Sequence, residues 1–263
     1  MVDGEGMRGD TAAVLAAVAG MIEAERFGAR VTVVAGPGVG LSAAVDLERG
    51  VMAGSLPEPA DVIVSDASTL IEGETPATLG YGEVEVFIEP VVPRPRLVIF
   101  GAVHIAQALS AHAALLGHHV TVSDARATFL TPERFPQSDE LLVGWPDEVA
   151  DRLVLDRRTS VVVLSHDSRF EEPLWPILLP TPVRYIGAMG SRGTATRRRE
   201  ALAASGFTEA VIGRIHGPIG LDIGAESPGE VAIAILAEMI ASLRRPSAPQ
   251  ALVGEKRPLG KQT

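Results

Sequence analysis

The chain contains no cysteine. Disulfides, Cys-ligated zinc, iron–sulfur clusters and thiol catalysis are therefore excluded on this polypeptide. Aromatic residues make up only 4% of it, so stacked bases or a large aromatic pocket are not expected. Basic residues are outnumbered, 23 Lys and Arg against 33 Asp and Glu, for a net charge of −10. That balance argues against a general binder of nucleic acid or of anionic membranes. No apolar run reaches the length of a membrane span. The opening MVDGEGMRGD lacks a basic region and an apolar core, so it does not read as a secretory signal, and a cytoplasmic location is expected. No pair of histidines stands at i, i+4 with a carboxylate, and His118 and His119 are neighbours at the start of a strand, so no metal site is expected. There is no G-x-S-x-G elbow, and the turn-rich Gly36–Gly40 is not followed by the Gly-Lys-Ser/Thr of a phosphate loop. No internal repeat is visible.

What is present is a substantial core. The 263 residues are 46% apolar and 21% charged, enough for one large domain or two small ones. The stretch Arg96 to Asp124, RLVIFGAVHIAQALSAHAALLGHHVTVSD, organises the rest. Leu97–Phe100 is a short apolar run of the kind found in buried parallel strands. Gly101 opens a turn. Ala102–Leu116 carries apolar residues at helical spacing (Ile105, Leu109, Ala113, Leu116), and Gly117 ends it. His119–Ser123 is a second strand, finished by Asp124. This strand–turn–helix–strand unit is half of a mononucleotide-binding fold.

The turn carries part of a dinucleotide fingerprint, G-x-G-x-x-G/A. Gly101 supplies the first glycine and Ala106 an accepted third member, but Val103 replaces the middle glycine that lets a pyrophosphate approach. Asp124 lies near the spacing of an acid that holds a ribose hydroxyl. Two readings stay open: a turn used only for packing, or a dinucleotide binder.

The chain then reads in order as follows. Residues 1–9 are expected to be disordered. Asp10 can cap a helix to about Arg26. Arg30–Ala35 is a strand, and Leu41–Asp46 with Val51–Gly54 reads as a hairpin. Asp61–Ser65 looks strand-like and is followed by a helical turn. Glu83–Glu89 alternates as a half-exposed strand. These elements make a small α+β domain over 1–92. Pro90, Pro93 and Pro95 mark its boundary with a Rossmann-like parallel-sheet domain over 93–245, and 246–263 reads as a disordered tail. In the second domain, strands are expected at Leu141–Val143, Ser160–Ser165 and Val183–Ile186. Helices are expected at Pro146–Leu153, Phe170–Leu179, about Arg192 to Ala204, and Ala210–Gly213. Ser227-Pro228-Gly229-Glu230 is a capping box that starts a helix to about Leu243. That helix is apolar on nearly all faces, which suits a buried element or a dimer interface.

Ligands of open parallel sheets bind beyond the C-terminal strand ends. Four pieces are expected to converge there: the Gly101–His104 turn, Asp124, His166–Asp167 and Gly187–Arg192. Val103 and His104 stand in the turn, and His104 could donate to a phosphate or merely cover the turn. His166 could hydrogen-bond a ligand, and its side chain faces away from that of Asp167. After Gly190, Ser191 can cap a helix, and Arg192 in its first turn is tolerated best if an anion binds there. Arg197, Arg198 and Arg199 fit a solvent-exposed face paired with acids such as Glu200 or Glu209. Asp222 lies in the glycine-rich Gly217–Gly224 loop, which could close the site or contact a second copy.

Taken together, IFGAVHIAQAL (99–109), VTVSDAR with Phe129 (120–126), VVVLSHD (161–167), YIGAMGSR (185–192) and GPIGLDIGAESPGEVAIAILAEMI (217–240) resemble the XdhC/CoxI family of xanthine dehydrogenase accessory proteins. The resemblance covers residues 93–243 well and the N-terminal domain loosely. It implies a Rossmann-like C-terminal domain, a smaller N-terminal domain and a homodimer. It further implies a cofactor-binding chaperone more than a stand-alone enzyme, one that binds molybdenum cofactor and delivers it to a molybdenum hydroxylase apoenzyme. The cofactor's phosphate would suit a helix N-terminus with Arg192, and Asp124 and His166 would serve its pterin or ribose edges. The chain departs from the family at three points. Val103 stands where G-A-G-H has its second glycine. The stretch around Gly80–Glu83 lacks the family's Cys-Gly-Gly. Glu171 stands where aspartate is usual. Two further readings remain: an NAD(P)-dependent oxidoreductase, which lacks an evident Lys, Tyr or His pair for proton transfer, and a ligand-free regulatory paralogue.

Overall fold

The computed structural model describes residues 4–165 and 167–244, so the expectations for the first three residues, for His166 and for the tail lie outside it. The chain divides into two compact units, Met1–Pro93 and Arg94–Thr263.

The first unit runs α1 (Gly4–Glu23), β1 (Gly28–Ala35), β2 (Ser42–Asp46), β3 (Gly50–Gly54), α2 (Ala60–Gly73), β4 (Ala77–Tyr81) and β5 (Val84–Val91). Its strands form an antiparallel sheet in the order β3-β2-β1-β5-β4. Neighbouring residues of a strand face opposite sides. Ala44 therefore meets Val14 and Met21 of α1, while Val45 joins Val31, Val86 and Ile88 beneath α2. The Asp46 carboxylate holds the β2–β3 turn, accepting the Glu48 and Arg49 backbone N–H groups at 3.0 and 2.9 Å and pairing with Arg26.

Three features differ from the sequence reading. Helix α1 begins at Gly4, so residues 4–9 are helical and not disordered. Asp61–Ser65 is not a strand but the start of α2, because Ile63, Ala67 and Ile71 form one buried stripe at four-residue spacing. A short apolar run is ambiguous in period, and the longer stripe decides it. Strand β4 escaped notice because it is only five residues long and includes Ala77 and Gly80, both poor strand formers; its antiparallel pairing with β5 makes it a strand.

The second unit runs β6 (Arg96–Phe100), α3 (His104–Leu115), β7 (His119–Asp124), β8 (Glu140–Val143), α4 (Pro146–Val149), β9 (Thr159–Val163), α5 (Ser168–Glu171), α6 (Leu174–Leu178), β10 (Tyr185–Ala188), α7 (Arg192–Ala204), α8 (Glu209–Ile212), β11 (Ile215–His216) and α9 (Pro228–Arg244). The sheet is parallel, in the order β11-β10-β9-β6-β7-β8. This is the doubly wound order of a Rossmann fold, with the strand order reversing between β6 and β9. Leu97 and Ile99 face α3 and α9, while Val98 and Phe100 face the layer that includes α4 to α8. The molecule is thus an α/β protein in which an α+β unit precedes a Rossmann-like parallel sheet.

Local differences have local causes. The helix expected over Phe170–Leu179 is two short ones, α5 and α6, with Pro173 at the start of the second. Strand β10 starts at Tyr185 and takes in Gly187 and Ala188, and β11 is too short to show a pattern. Ser227 and Glu230 form the expected capping box of α9, with the Ser227 N–H donating to Glu230 at 2.9 Å and the Glu230 N–H to Ser227 at 3.3 Å. Ala232, Ile235 and Met239 of α9 are buried in one core with Ala106, Leu109 and Ala113 of α3, while Ile233 and Ile240 are exposed.

Candidate functional site

The crevice predicted by the strand order exists. A cavity of about 450 Å³ opens at the C-terminal ends of β6, β7 and β9, where the strand order reverses. Its floor is the glycine turn. Gly101 has φ +108°, and an added Cβ would lie 3.1 Å from the Ser165 nitrogen, so the turn nests against the end of β9 only without a side chain. The Gly101 N–H donates to the Ser123 carbonyl at 2.8 Å. Val103 is the N-cap residue of α3 and offers no acceptor to that helix; it lines the cavity instead.

Asp124, 3% exposed at the end of β7, is committed to this turn. Its carboxylate accepts the Ala102 N–H at 2.7 Å and the Arg126 N–H at 2.9 Å. It also takes Nε and Nη2 of Arg126 at 2.9 and 2.8 Å. Burial by itself would raise its pKa. The Arg126 guanidinium and the two backbone N–H groups more than reverse that, so the carboxylate stays ionised below its ordinary range. The expected ribose acceptor is therefore occupied by the protein's own donors. It fixes the turn and holds Arg126 at the rim.

The opposite wall repeats the device. Asp167 accepts the Arg169 N–H at 3.0 Å and pairs with Arg169 Nε and Nη2 at 3.2 and 2.8 Å. Arg126 also feels the Asp167 charge. Beyond Arg126, Phe129 lies under its guanidinium, 4.6 Å from ring centroid to Cζ. Arg134 ties the same loop to the turn, donating to the Ala102 and Phe129 carbonyls at 3.2 and 2.6 Å. Trp145, Leu164 and Phe170 give the cavity its apolar side.

Of the residues singled out from sequence, Gly101, Val103, Asp124 and Asp167 border one cavity. His104 is exposed at the first turn of α3 and is not part of the lining, and His166 is outside the described residues. Gly190, Ser191 and Arg192 do not converge with them. They follow β10, which β9 separates from the switch point. Ser191 does cap α7, accepting the Thr194 N–H at 3.2 Å, and Arg192 is exposed in the first turn. Asp222 is exposed in its loop and lines no part of the cavity. Arg199 pairs with Glu209 as expected, but Arg198 is buried rather than on a solvent face: it binds Glu171 and the Met189 carbonyl.

Sequence reasoning missed Arg126, Trp145, Arg169 and Phe170. The arginines had a signal: Asp124-Ala125-Arg126 and Asp167-Ser168-Arg169 are the same Asp-x-Arg triplet, each placed just after a parallel strand. The low aromatic content did not exclude an aromatic wall, because composition counts rings without placing them.

Comparison with known proteins converges on one group. The XdhC Rossmann domain family matches residues 97–239. A Bacillus subtilis protein described as a probable subunit of xanthine dehydrogenase is 31% identical over 61% of this chain and 46% of its own length. The Escherichia coli molybdenum cofactor insertion chaperone PaoD is 29% identical over 61% of this chain and 42% of its own. The E. coli uncharacterized protein YqeB is 36% identical over 60% of this chain and 29% of its own. The chain thus spans less than half the length of these curated relatives. A crystal structure described as a xanthine dehydrogenase from Bacillus halodurans shares the fold, with TM-score 0.54 at 19% identity over 88% of this chain and 93% of that one. With its Rossmann order, its glycine turn and a family match across more than half its length, this chain belongs to the XdhC family.

Proposed function

We propose that the cleft binds molybdenum cofactor and that the protein assists its insertion into a xanthine dehydrogenase-like molybdenum hydroxylase. The observation that carries this reading is the switch-point cavity flanked by Arg126 and Arg169. Molybdenum cofactor is a pterin bearing a phosphate, and the donors present fit that organic part. Each arginine spends Nε and Nη2 on its aspartate, leaving Nη1 to donate to a ligand. The first turn of α3 adds backbone N–H groups and the positive end of its dipole. Among the described residues no cluster of three His, Asp or Glu is arranged to hold a metal ion, and the chain has no thiol. The protein's share of the work is therefore to bind the pterin and phosphate, to orient them and to restrict water on the apolar side. The names of PaoD and of the B. subtilis relative support a hydroxylase as the recipient.

The test is direct. Purified protein is incubated anaerobically with cofactor released from a molybdoenzyme, and separately with NAD and NADP, then passed through gel filtration. Co-elution of molybdenum and pterin, followed by gain of activity when apo-hydroxylase is added, is the expected result. Retention of NAD alone would replace this reading with an oxidoreductase, and retention of neither would leave it without a ligand.

A further inference from the structure

Few aromatic residues are available to this chain, yet three stand in a row at the cleft. Phe100, fully buried at the end of β6, meets Phe170 edge-on, with centroids 6.2 Å apart and planes at 65°. Phe170 in turn meets Trp145, with centroids 5.9 Å apart. Trp145 ends the row at the cavity with 39% of its surface exposed. An indole backed by Phe170, itself packed on the core ring of Phe100, and part-exposed where it lines a cavity, is a preformed stacking surface. Its position is further set from below, since the Glu148 carboxylate accepts the Trp145 backbone N–H at 2.8 Å.

The polar side of the cavity is equally organised. Arg126 and Arg169 are each fixed by a two-pronged contact with an aspartate, so their remaining donors are oriented before a ligand arrives. A planar guanidinium with free Nη1 hydrogens suits a phosphate oxygen pair. Against this, the place where a dinucleotide's pyrophosphate would cross the turn carries the Val103 side chain. The volume, about 450 Å³, is also toward the lower end of the roughly 300–1,000 Å³ of ligand pockets.

Resting on the reading of this cleft as the ligand site, we infer that it selects a planar heterocycle bearing a single phosphate arm and discriminates against dinucleotides. The ring lies on Trp145, and Arg126 and Arg169 hold the phosphate. The heterocycle could be a pterin or a purine; the geometry recognises the shared features, a flat ring and one phosphate within reach of each other.

The chain has two tryptophans, and Trp175 is only 4% exposed. The acrylamide-accessible emission of the full-length protein therefore reports Trp145. The probes are GMP, guanosine, inorganic phosphate and NAD. GMP is expected to quench the accessible emission at least tenfold more tightly than guanosine, phosphate or NAD. Arg169→Ala, at a residue whose side chain is 80% exposed, is expected to weaken GMP about tenfold and leave guanosine unchanged. Trp145→Ala, followed by calorimetry, is expected to weaken GMP and guanosine alike. Equal affinity for GMP and guanosine, tighter binding of NAD than of GMP, or accessible emission indifferent to every probe would overturn the inference. The two proposals separate cleanly. Retention of molybdenum cofactor with unchanged Trp145 emission sinks this inference and leaves delivery standing. Quenching by GMP without cofactor retention does the reverse.

Discussion

Arg198 on α7 grips Glu171 at the end of α5 through two hydrogen bonds, Nε at 3.0 Å and Nη2 at 3.2 Å, with both side chains nearly out of solvent. The same guanidinium donates to the Met189 carbonyl at 2.9 Å and lies over the Trp175 ring. Helix α5 carries Arg169 and Phe170, so this pair fixes one wall of the cleft from behind. Removing one partner of a buried, hydrogen-bonded ion pair costs about 3–5 kcal/mol. Arg198→Ala is expected to lower stability by that amount in urea unfolding, and Arg198→Lys by a comparable amount because an ammonium cannot bridge both oxygens and the carbonyl. A loss within about 1 kcal/mol, the scale of a surface pair, would refute the structural role.

Asp124 supplies a second prediction. Asp124→Asn keeps the shape but loses the charge-assisted contacts to Arg126 and the Ala102 N–H, and a loss of about 1.5–3 kcal/mol is expected. Its pKa is depressed in the folded state, so its contribution is fully present above the unfolded value of about 3.9 and vanishes as pH falls through the folded value. The mutant should therefore show a shallower acid limb in stability against pH, below about pH 4. Parallel acid limbs for the two proteins would count against the assignment.

His118 acts in a different window. Burial, and then the charges of Arg184, Arg158 and Arg94, hold its pKa below the ordinary value, so the ring is kept neutral in the fold. The sign is the same as for Asp124: stability is present above the unfolded value of about 6.5 and is lost as pH falls from there through the folded value. Denaturation midpoints should drop between neutral and mildly acidic pH in the wild type, and this limb should disappear in His118→Gln. Persistence of the limb in the variant would assign it to another group.

Val103 bears on ligand choice. Val103→Gly restores the middle glycine of the fingerprint at an N-cap position, where glycine is well tolerated. NAD binding is expected to tighten at least tenfold, read by equilibrium dialysis. Unchanged affinity would mean that no dinucleotide phosphate reaches this turn.

Tyr185 tests the other end of the sheet. Its hydroxyl donates to Glu238 at 2.7 Å, and the same carboxylate accepts the Gly220 N–H at 2.9 Å, which ties β10, the glycine-rich loop and α9 together. Burial and the Glu238 charge push the phenol well above its usual pKa, so it stays a donor at all working pH values. Tyr185→Phe is expected to cost about 1–1.5 kcal/mol in thermal or chemical unfolding, because Glu238 keeps its backbone donor. A neutral substitution would show that the contact adds nothing to stability.

The amino-acid sequence by itself determined the elements whose signals are local. The β6–turn–α3–β7 unit follows from apolar runs bounded by Gly101 and Gly117. The caps at Ser191 and Ser227 follow from residues a turn apart. Where periods compete over a short span, as at Asp61–Ser65, packing of Ile63, Ala67 and Ile71 on a sheet decided the outcome. The partners of side chains were decided only by tertiary structure. Asp124 reads as a ligand acid until the turn folds back and supplies the Ala102 N–H. Arg198 reads as a surface residue until α5 brings Glu171 to it. The two Asp-x-Arg triplets face one cavity with Phe170 and Trp145, because the order β9-β6-β7-β8 brings the ends of these strands side by side. Strand order is a property of the whole sheet, and no window of sequence contains it.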